Sequence, residues 1–447
     1  MLTGRDITVI SSVDWDFIWQ NQQEVCSRLA RAGNRVLYVE NTGVRAPGLQ
    51  DTRRVLRRMS CWFRSWRSRR LREVAPNLYV CSPVVMPPFG TRWRRWLNRR
   101  FFLAQVRCAA NRLGLRDMLI WTYLPTDTAA DLIRMLSTPQ SAVIYYCVDN
   151  FGALTPHVGA LRKSEQAITK LSDVVFATCQ ELAEHCRQWN DNVHVFPNGV
   201  NLAAFPPEEI FFDEAGLDGH DTEALTLLRS LSRPIIGYAG GIAGYLDIKL
   251  LEKMARARPD WSWVFVGPVN TSIEGLSRLP NVHLLGQRPH QELVQYMRGF
   301  DVCIVPYTNS LHTDTVVPTK VNEYLATGKP VVSTEIPTVL RFNERHKVLL
   351  TAPARPESFL QAIEQALRLP NDAAVVSYRR KIAALSDWEV LLERMTELIA
   401  PRLTARAKWE SARQPVEHSD GSAFFETVGQ AGGLAAQHTS AEAAESL

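Results

Sequence analysis

The stretch "HTDTVVPTKVNEYLATGKPVVST", His312 to Thr334, decides the fold predicted for this chain. Pro318 suits the start of a helix, and Thr319 offers a hydroxyl to the exposed amides of its first turn. Gly328 suits a left-handed helix end, and Pro330 prevents the helix from continuing into the β-branched run that follows. A short helix that leads directly into a strand is typical of α/β folds with parallel sheets.

Strand and helix patterns alternate on both sides of this stretch. In the N-terminal half, strands are predicted for "DITVIS", "RVLYVEN", "LYVCSPV", "MLIWTYL", "AVIYYCVD", "DVVFATC" and "VHVFPNG". After an interval rich in proline and charge, they are predicted for "PIIGYAGG", "WSWVFVGP", "VHLLG", "DVCIVPY", "PVVST" and "KVLLT". This spacing favours right-handed βαβ units, and therefore an α/β protein of two doubly wound domains that face each other across a cleft.

The same pattern predicts the division of the chain. We expect an N-terminal Rossmann-like domain over 1–198, a linker with an insert over 199–232, and a C-terminal Rossmann-like domain over 233–380. Segment 381–403 is predicted to be a helix that packs back toward the N-terminal domain. The tail 404–447 is rich in Ala, Gly, Ser, His and Glu, which predicts disorder. Ligands of such sheets bind outside the carboxyl ends of the strands, so the cleft is the predicted site.

Composition limits the classes of protein that fit. The 447 residues, 46% of them hydrophobic, suffice for two or three domains with large cores. The eight cysteines form neither C-x-x-C pairs nor a Cys/His metal pattern, which favours buried reduced thiols. The opening "MLTGRDITVISSVDWD" turns polar too early for a signal peptide, and no window holds the roughly 18 apolar residues of a spanning helix. We therefore expect a cytoplasmic protein.

The start of the helix predicted after Pro318 carries the first candidate chemistry. A helix N-terminus attracts anionic oxygen through its free amides and its dipole, and Lys320 adds positive charge there. Glu323 follows about one turn later on the same face, where a carboxylate can accept hydrogen bonds from ribose hydroxyls. A diphosphate with an attached ribose fits this arrangement. An ordinary Lys–Glu surface pair fits the spacing as well.

Two other stretches carry weaker signals. "GYAGGIAGYLD", Gly237 to Asp247, follows a strand, and its glycines allow a close approach of the backbone to phosphate. It departs from G-x-G-x-x-G with a distant acidic residue, so dinucleotide binding is not favoured, and a flexible loop is the alternative. "FPNGVNLAAF", Phe196 to Phe205, lies between the two halves, and Asn198-Gly199 in isolation is a common turn.

Taken together, these stretches resemble a known family. "PNGVNLAAF", "GYAGGIAGYLD", "LLGQRPHQELVQYMRGFDVCIVPY" and "PTKVNEYLATGKPVVST" occur in the order and spacing of the GT-B glycosyltransferases, family-4-like branch. The N-terminal "SSVDWDFIWQNQQEVCSRLARAGNRVLYVENTG" resembles bacterial transferases of teichuronic-acid and exopolysaccharide synthesis. The resemblance extends to about Ile399 and depends on the ordered set, since no single motif is decisive.

The resemblance implies a function and a donor site. It implies transfer of a sugar, expected to be a hexose moved with retention, from a nucleotide-sugar donor to a hydroxyl of a glycan, expected to be lipid-linked, in cell-surface or exopolysaccharide synthesis. The C-terminal half would hold the donor. Glu323 falls at the family's ribose-binding glutamate, Lys320 at a phosphate-facing lysine, and Gly240 and Gly241 at the glycine loop near the phosphates. No metal or other cofactor is expected, because helix amides and the lysine would stabilise the departing diphosphate.

Two departures from the family pattern affect this site. Many members carry Glu-x7-Glu, and Thr315, next to Asp314, occupies the first of these positions. The usual arginine after the glycine loop is replaced by Ile242. Neutralisation of the phosphates is then expected from Lys320 and backbone amides, with Lys249 as a further candidate. The donor-side candidates are Gly240, Gly241, Lys249, His312, Thr315, Thr319, Lys320 and Glu323.

The N-terminal half supplies candidates for the acceptor side. The loop "SSVDWDFIWQNQ" follows the first predicted strand, and its Asp14, Asp16 and Gln20 are candidates to touch the acceptor or the donor. Asp149 follows the strand "AVIYYCV" and is expected to face the same cleft. A carboxylate here can act as general base in an inverting reaction or orient the acceptor hydroxyl in a retaining one; helix capping or loop solvation is the alternative. Asp16, Asp149 and Lys320 are the candidate catalytic residues.

Arginines alternate with aromatic residues in two stretches, "RRVLRRMSCWFRSWRSRRLR" (Arg53 to Arg72) and "RWRRWLNRRFF" (Arg92 to Phe102). One interpretation is a surface that touches anionic lipid headgroups, where each basic residue contributes about 1 kcal/mol. A solvated surface is the second interpretation, and nucleic-acid binding the third, which the absence of a nucleic-acid module disfavours. A lipid-linked acceptor would place the protein at the inner face of the plasma membrane.

Two rival functions stay open at the level of sequence. A GT-B nucleotide-sugar epimerase would turn over the donor without an acceptor. A catalytically inactive sugar-nucleotide-binding or assembly protein is suggested by Thr315 and by the missing arginine. Donor hydrolysis or transfer above background would exclude the second rival.

Overall fold

A computed structural model describes residues 1–16, 19–40, 71–83, 85–86, 88–89, 91–206, 226–289 and 292–411, without the side chains of Phe102 and of 404–411. Backbone contacts group Met1–Ala407 into one compact unit and Lys408–Leu447 into another, and both sheets belong to the first. Most of the arginine-rich stretch that begins at Arg53 and most of the predicted tail lie outside the described residues.

The N-terminal half forms an eight-stranded sheet, called here the first sheet, with the order β3-β4-β2-β1-β5-β6-β7-β8. Its strands are β1 (Asp6–Ser11), β2 (Arg35–Glu40), β3 (Leu71–Ala75), β4 (Leu78–Cys81), β5 (Leu119–Thr122), β6 (Ala142–Cys147), β7 (Val174–Ala177) and β8 (Val193–Val195). All pairs are parallel except β3 with β4. The order reverses between β1 and β5, which is where ligands of doubly wound sheets bind.

Helices cover both faces of the first sheet. They are α1 (Asn21–Arg31), α2 (Arg92–Leu97), α3 (Leu103–Arg112), α4 (Asp127–Leu136), α5 (Val158–Leu171) and α6 (Gln180–Arg187), with a π-helical turn at Asn98–Phe102. Because both faces are covered, β6 is buried throughout, and its alternate residues enter different cores. Tyr145 packs in one core and Tyr146 in the other.

The C-terminal half forms the second sheet, six parallel strands in the order β11-β10-β9-β12-β13-β14. Its strands are β9 (Ile235–Ala239), β10 (Ser262–Val266), β11 (Val282–Leu284), β12 (Val302–Val305), β13 (Val331–Thr334) and β14 (Leu350–Ala352). Its helices are α7 (Ile248–Ala257), α8 (Glu274–Ser277), α9 (Leu293–Gly299), α10 (Thr319–Ala326), α11 (Pro337–His346), α12 (Pro356–Arg368) and α13 (Ala373–Ala384). The prediction of an α/β protein with two parallel sheets is confirmed, and the second switch point lies between β9 and β12.

The last helix, α14 (Trp388–Ser411), returns to the first sheet. Its buried Trp388 and Leu391 share a core with Phe196 and with residues of the first sheet. The backbone N–H of Trp388 donates to the carbonyl of Val200 at 3.1 Å, and a Cβ added at Gly199 would lie 2.5 Å from the Trp388 ring. Segment 381–403 is therefore divided between α13 and α14, while the domain boundaries themselves stay a prediction.

Candidate functional site

Helix α10 begins at Thr319, directly after Pro318. The Val321 N–H donates to the Pro318 carbonyl at 3.2 Å, and no side chain of the described residues caps the helix, so the expected capping by the Thr319 hydroxyl is wrong. Gly328 adopts φ +79° just beyond the helix, as its sequence position predicts. The hydroxyl of Tyr324 accepts a hydrogen bond from Ala239 N–H at 2.9 Å, which fixes α10 against the end of β9. The uncapped turn is thus held at the carboxyl edge of the second sheet.

Lys320 lies directly over the glycine loop, Gly240 and Gly241. A Cβ added at Gly240 would lie 2.0 Å from Cε and 2.6 Å from Nζ of Lys320, and Gly240 has φ +150°. The Lys320 ammonium is also 5.6 Å from the centroid of the Tyr238 ring. Only glycine satisfies both the backbone angle and the close approach. Two elements far apart in sequence therefore meet at one place.

Hydrogen bonds fix the shape of the glycine loop. The Gly241 carbonyl accepts from the hydroxyl of Tyr245 at 2.7 Å and from that of Tyr238 at 3.0 Å. The Gly240 N–H donates to the Val266 carbonyl at 2.7 Å. Burial raises the pKa of both tyrosines, so they stay neutral donors near neutral pH. The loop is therefore rigid before any ligand arrives.

Glu323 is half-buried one turn into α10, beside the phenols of the second sheet. Burial raises the pKa of Tyr307, and the negative charge of Glu323 raises it further. The Glu323 carboxylate is therefore close enough to Tyr307 for its charge to act on this phenol, and Tyr307 lines the cavity described next.

A cavity of about 220 Å³, called here the cleft cavity, opens between the two sheets. Asp149 and Asn198 line it from the N-terminal half, and Tyr245, His312 and Thr319 line it from the C-terminal half. A larger, mostly apolar cavity of about 540 Å³ lies at the amino ends of β13 and β14. It contains none of the predicted residues, and ligands of such sheets bind at the opposite edge, so the cleft cavity is the better candidate.

Asp149 and His312 meet across the cleft cavity. Asp149 Oδ1 and His312 Nδ1 are 3.4 Å apart, and both atoms are buried with no other hydrogen-bond partner in the described part of the chain. At this distance the contact is not a good hydrogen bond, and it is an ion pair when His312 is protonated. Asp149 raises the pKa of His312 above its ordinary 6.5, although partial burial opposes this. Sequence analysis names both residues, but not their contact.

Asn198 joins the two halves beside this pair. Its Oδ1 accepts from Asn21 Nδ2 at 2.9 Å, and its Nδ2 donates to the Val317 carbonyl at 3.2 Å. Val317 in turn packs against a core of the first sheet. Asn198, which the sequence alone marks only as part of a common turn, therefore connects α1 to the segment before α10 through side-chain hydrogen bonds.

The remaining donor-side candidates differ in position. Lys249 is exposed near the start of α7 and does not line the cleft cavity. Thr315, where the resemblance leads one to expect a glutamate, is buried in a one-turn helix, and its hydroxyl donates to the His312 carbonyl at 3.4 Å. Its contact within the described residues is therefore with the backbone that carries His312.

The acceptor-side candidates make local contacts at the end of β1, and none of them lines the cleft cavity. Asp16 is exposed and pairs with Arg72 at 2.8 Å. Gln20 precedes α1, and its backbone N–H donates to the Gln23 side chain at 3.1 Å. The carbonyl of Asp14 accepts from the same Gln23 side chain at 3.4 Å. The structure therefore brings Asp149, but not these three, to the donor-side candidates.

Sequence analysis misses Glu40, a buried carboxyl at the end of β2. It accepts hydrogen bonds from the Trp15 N–H at 2.8 Å and from the Ser82 hydroxyl at 2.6 Å. Burial raises its pKa, and the nearby Asp14 carboxylate raises it further. A glutamate that ends a continuous apolar run, as in "RVLYVE", is the signal that marks it in the sequence.

Comparisons with solved structures define the class of fold. Sucrose-phosphate synthase from Thermosynechococcus elongatus matches with a TM-score of 0.65 at 19% identity, over 90% of this chain and 100% of that one. HepE from Anabaena, solved in complex with UDP, matches with a TM-score of 0.61 at 13% identity, over 89% and 100%. The fold is GT-B, as the resemblance implies.

Comparisons with sequences refine this class. Residues 233–368 match the family model described as glycosyl transferases group 1. TuaH of Bacillus subtilis (strain 168), named as a teichuronic acid biosynthesis glycosyltransferase, is 29% identical over 245 residues, which are 53% of this chain and 58% of TuaH. TuaC of the same strain, with the same kind of name, is 23% identical over 312 residues, or 66% and 74%. The match to TuaH thus spans just over half of that relative.

No helix among the described residues is long and apolar enough to cross a membrane. No group of three or more His, Cys, Asp or Glu side chains is arranged there to hold a metal ion.

Proposed function

We propose that this chain is a glycosyltransferase that takes a sugar from a nucleotide-sugar donor. The observation that supports this most is the convergence of three features at one point. Lys320 lies over Gly240, and both adjoin the uncapped first turn of α10. Free amides, a cation and a glycine backbone together suit the oxygens of a diphosphate. Glu323 one turn on suits the ribose. UDP, bound in the structure of HepE, is a reasonable first nucleotide to test.

The proposal also covers the acceptor, which is named only by its chemical class. We propose a hydroxyl of a glycan, carried on a lipid, in cell-envelope polysaccharide synthesis, as the names of TuaH and TuaC suggest. Hexosyl transfer with retention, without a metal, stays part of the proposal. The anomeric configuration of the product and activity in the presence of EDTA test these two points.

A cytoplasmic protein that attaches to an anionic membrane surface would reach such an acceptor. Trp93 is 55%, Trp96 58% and Phe101 53% exposed, a strongly apolar group for a protein surface. Arginines accompany them: Arg94 lies over Trp93 and Arg100 over Phe101. Aromatic rings flanked by arginines fit the headgroup region of an anionic bilayer.

Binding to liposomes tests the membrane part. We expect Trp93→Ala with Trp96→Ala to weaken sedimentation with phosphatidylglycerol liposomes roughly tenfold, because two rings lose their contact with lipid. Tyr378→Ala, which removes an equally exposed ring on α13, is the matched control. Equal sedimentation of both variants would count against this surface.

The enzymatic part needs a donor screen. A thermal-shift panel of UDP-, GDP-, ADP- and dTDP-sugars identifies the donor, since a ligand that binds only the folded state raises the melting temperature. Release of nucleotide with and without glycan-lipid acceptor then separates the candidate functions. Acceptor-dependent release supports a transferase, and conversion of the donor without acceptor supports an epimerase. Binding without any turnover supports an inactive binding protein.

A further inference from the structure

The proposed phosphate site lacks the arginine that the resemblance leads one to expect after the glycine loop. Ile242, at the position of the arginine that the resemblance leads one to expect, is 1% exposed. Its N–H donates to the Pro268 carbonyl at 2.9 Å, and its carbonyl accepts from the Asn270 N–H at 2.7 Å. This buried position, just after β9, is therefore fixed by backbone hydrogen bonds to the segment that follows β10. A diphosphate beside Lys320 would need further neutralisation.

His312 is placed to supply this charge. Its ring lines the cleft cavity together with Thr319, the first residue of α10. The side chain is 29% exposed, and Nε2 makes no hydrogen bond with any residue that the structure describes. Since Asp149 faces Nδ1, the imidazolium keeps Nε2–H as a free donor. Asp149 also favours protonation of His312, because a neutral imidazole would leave the carboxylate facing an anionic ligand without a neighbouring positive charge.

We propose that protonated His312 is a second cation for the donor diphosphate, held by Asp149 at Nδ1 and donating from Nε2 to an anionic oxygen. This inference rests on the donor site proposed above. Asp149 follows β6 of the first sheet, whereas His312 precedes α10 of the second. The donor would therefore be bound with help from both halves, and its binding would be linked to their approach.

The charges around His312 determine the expected pH dependence. Asp149 faces it from the first sheet, Asp314 neighbours it on its own segment, and Lys320 follows on α10. The phenols of Tyr245 and Tyr307 line the same cavity and stay neutral, since burial raises the pKa of each. The pKa of His312 is raised, so the imidazolium persists above pH 6.5 and is lost as the pH rises through the raised value. Donor affinity should fall over the same interval.

Calorimetry on the full chain tests this inference with UDP-glucose, GDP-mannose and ADP-glucose. Their diphosphates are esterified at both ends, so they do not titrate near pH 6 as a terminal phosphate does. Between pH 6 and pH 8.5 we expect donor affinity to fall roughly tenfold, because one charge-assisted hydrogen bond is lost when His312 loses its proton. Titrations in buffers of different ionisation enthalpy measure the protons taken up on binding. In the upper half of this pH range, binding of the nucleotide sugar should be accompanied by uptake of a proton.

Three variants separate the outcomes. His312→Gln should bind roughly tenfold more weakly at pH 6 and lose both the pH dependence and the proton uptake. Asp149→Asn should still bind the nucleotide sugar at pH 6. As the pH rises, its affinity should begin to fall at a lower pH than that of the wild type, because the pKa of His312 is lower without the Asp149 carboxylate. His346→Gln, on α11, should behave as wild type. Wild-type affinity and pH dependence in His312→Gln would overturn this inference alone. Wild-type protein that binds none of the three nucleotide sugars at pH 6 would overturn the donor site as well.

Discussion

The two walls of the cleft are built in different ways. On the second sheet, Gly240, Lys320 and the first turn of α10 leave polar groups open at a single point. On the first sheet, Asp16 and Gln20 are engaged with their own neighbours, and Asp149 reaches the cleft cavity by pairing with His312. The wall on the second sheet, called here the donor wall because the proposed donor site lies on it, is thus preformed, whereas the other wall reaches the cleft cavity through Asp149 and Asn198. Changes on the two walls should therefore have very different effects on donor binding.

The largest effect is expected for Gly240→Ala. Alanine at φ +150° is strained, and its Cβ would displace Lys320, so the loop and the cation both move. We expect donor affinity to fall about 100-fold and the free energy of unfolding to fall by roughly 1–3 kcal/mol. Calorimetry and chemical denaturation measure the two quantities.

Gly244→Ala is the matched control in the same segment. A Cβ added there meets nothing within 4 Å, and the residue is exposed. Near-wild-type affinity is expected. If both alanine variants bind the donor equally well, the close packing of Lys320 on Gly240 is not what forms the site.

The smallest effect is expected for Asp16→Asn on the opposite wall. Asp16 and Arg72 form an exposed ion pair, and such pairs contribute little because water screens them. We expect the free energy of unfolding to change by less than about 0.5 kcal/mol, and donor affinity to stay the same. A loss of donor affinity as large as that of Gly240→Ala would show that the two walls do not differ in this way.

The donor wall could be predicted because its signals are local. Pro318 and Gly328 delimit α10 within one short stretch, and the positions of Lys320 and Glu323 follow from helical spacing. The alternation of strands and helices likewise predicts both sheets. Local signals do not reveal which loops come together in the folded protein. The contact of Lys320 with Gly240 is therefore visible only in the three-dimensional structure.

The other wall depends on contacts between distant residues. Asp149 and His312 are each prominent in the sequence, yet no periodicity relates them, because they approach from different sheets. The same holds for Asn198. Its turn is a local feature of the sequence, but its side-chain hydrogen bonds are to Asn21 and Val317, which are distant in sequence. Strand β3 escapes prediction because it is a short antiparallel edge strand, partly exposed and interrupted by charge.

The helix predicted over 381–403 shows the same limit. The helix is interrupted between α13 and α14, at Leu385 to Asp387. There the Ser386 carbonyl accepts a hydrogen bond from the Val200 N–H at 2.8 Å. The Asp387 carboxylate also accepts from the Leu202 N–H at 3.0 Å. Asp387 also contacts the start of α14 locally, because its carboxylate accepts from the Glu389 N–H at 2.8 Å. The distant connector and this local hydrogen bond together fix the point where α13 ends and α14 begins.

The central claim is that Lys320 of α10, which packs against Gly240 of the glycine loop, binds the diphosphate of a nucleotide sugar. Calorimetry of Lys320→Ala with the nucleotide sugar that gives the largest thermal shift tests this claim most directly, with Lys253→Ala, an exposed lysine on α7, as control. We predict about 30- to 100-fold weaker binding for Lys320→Ala and no change for the control, because a charge-assisted contact to phosphate is lost. Unchanged affinity in Lys320→Ala would contradict the account.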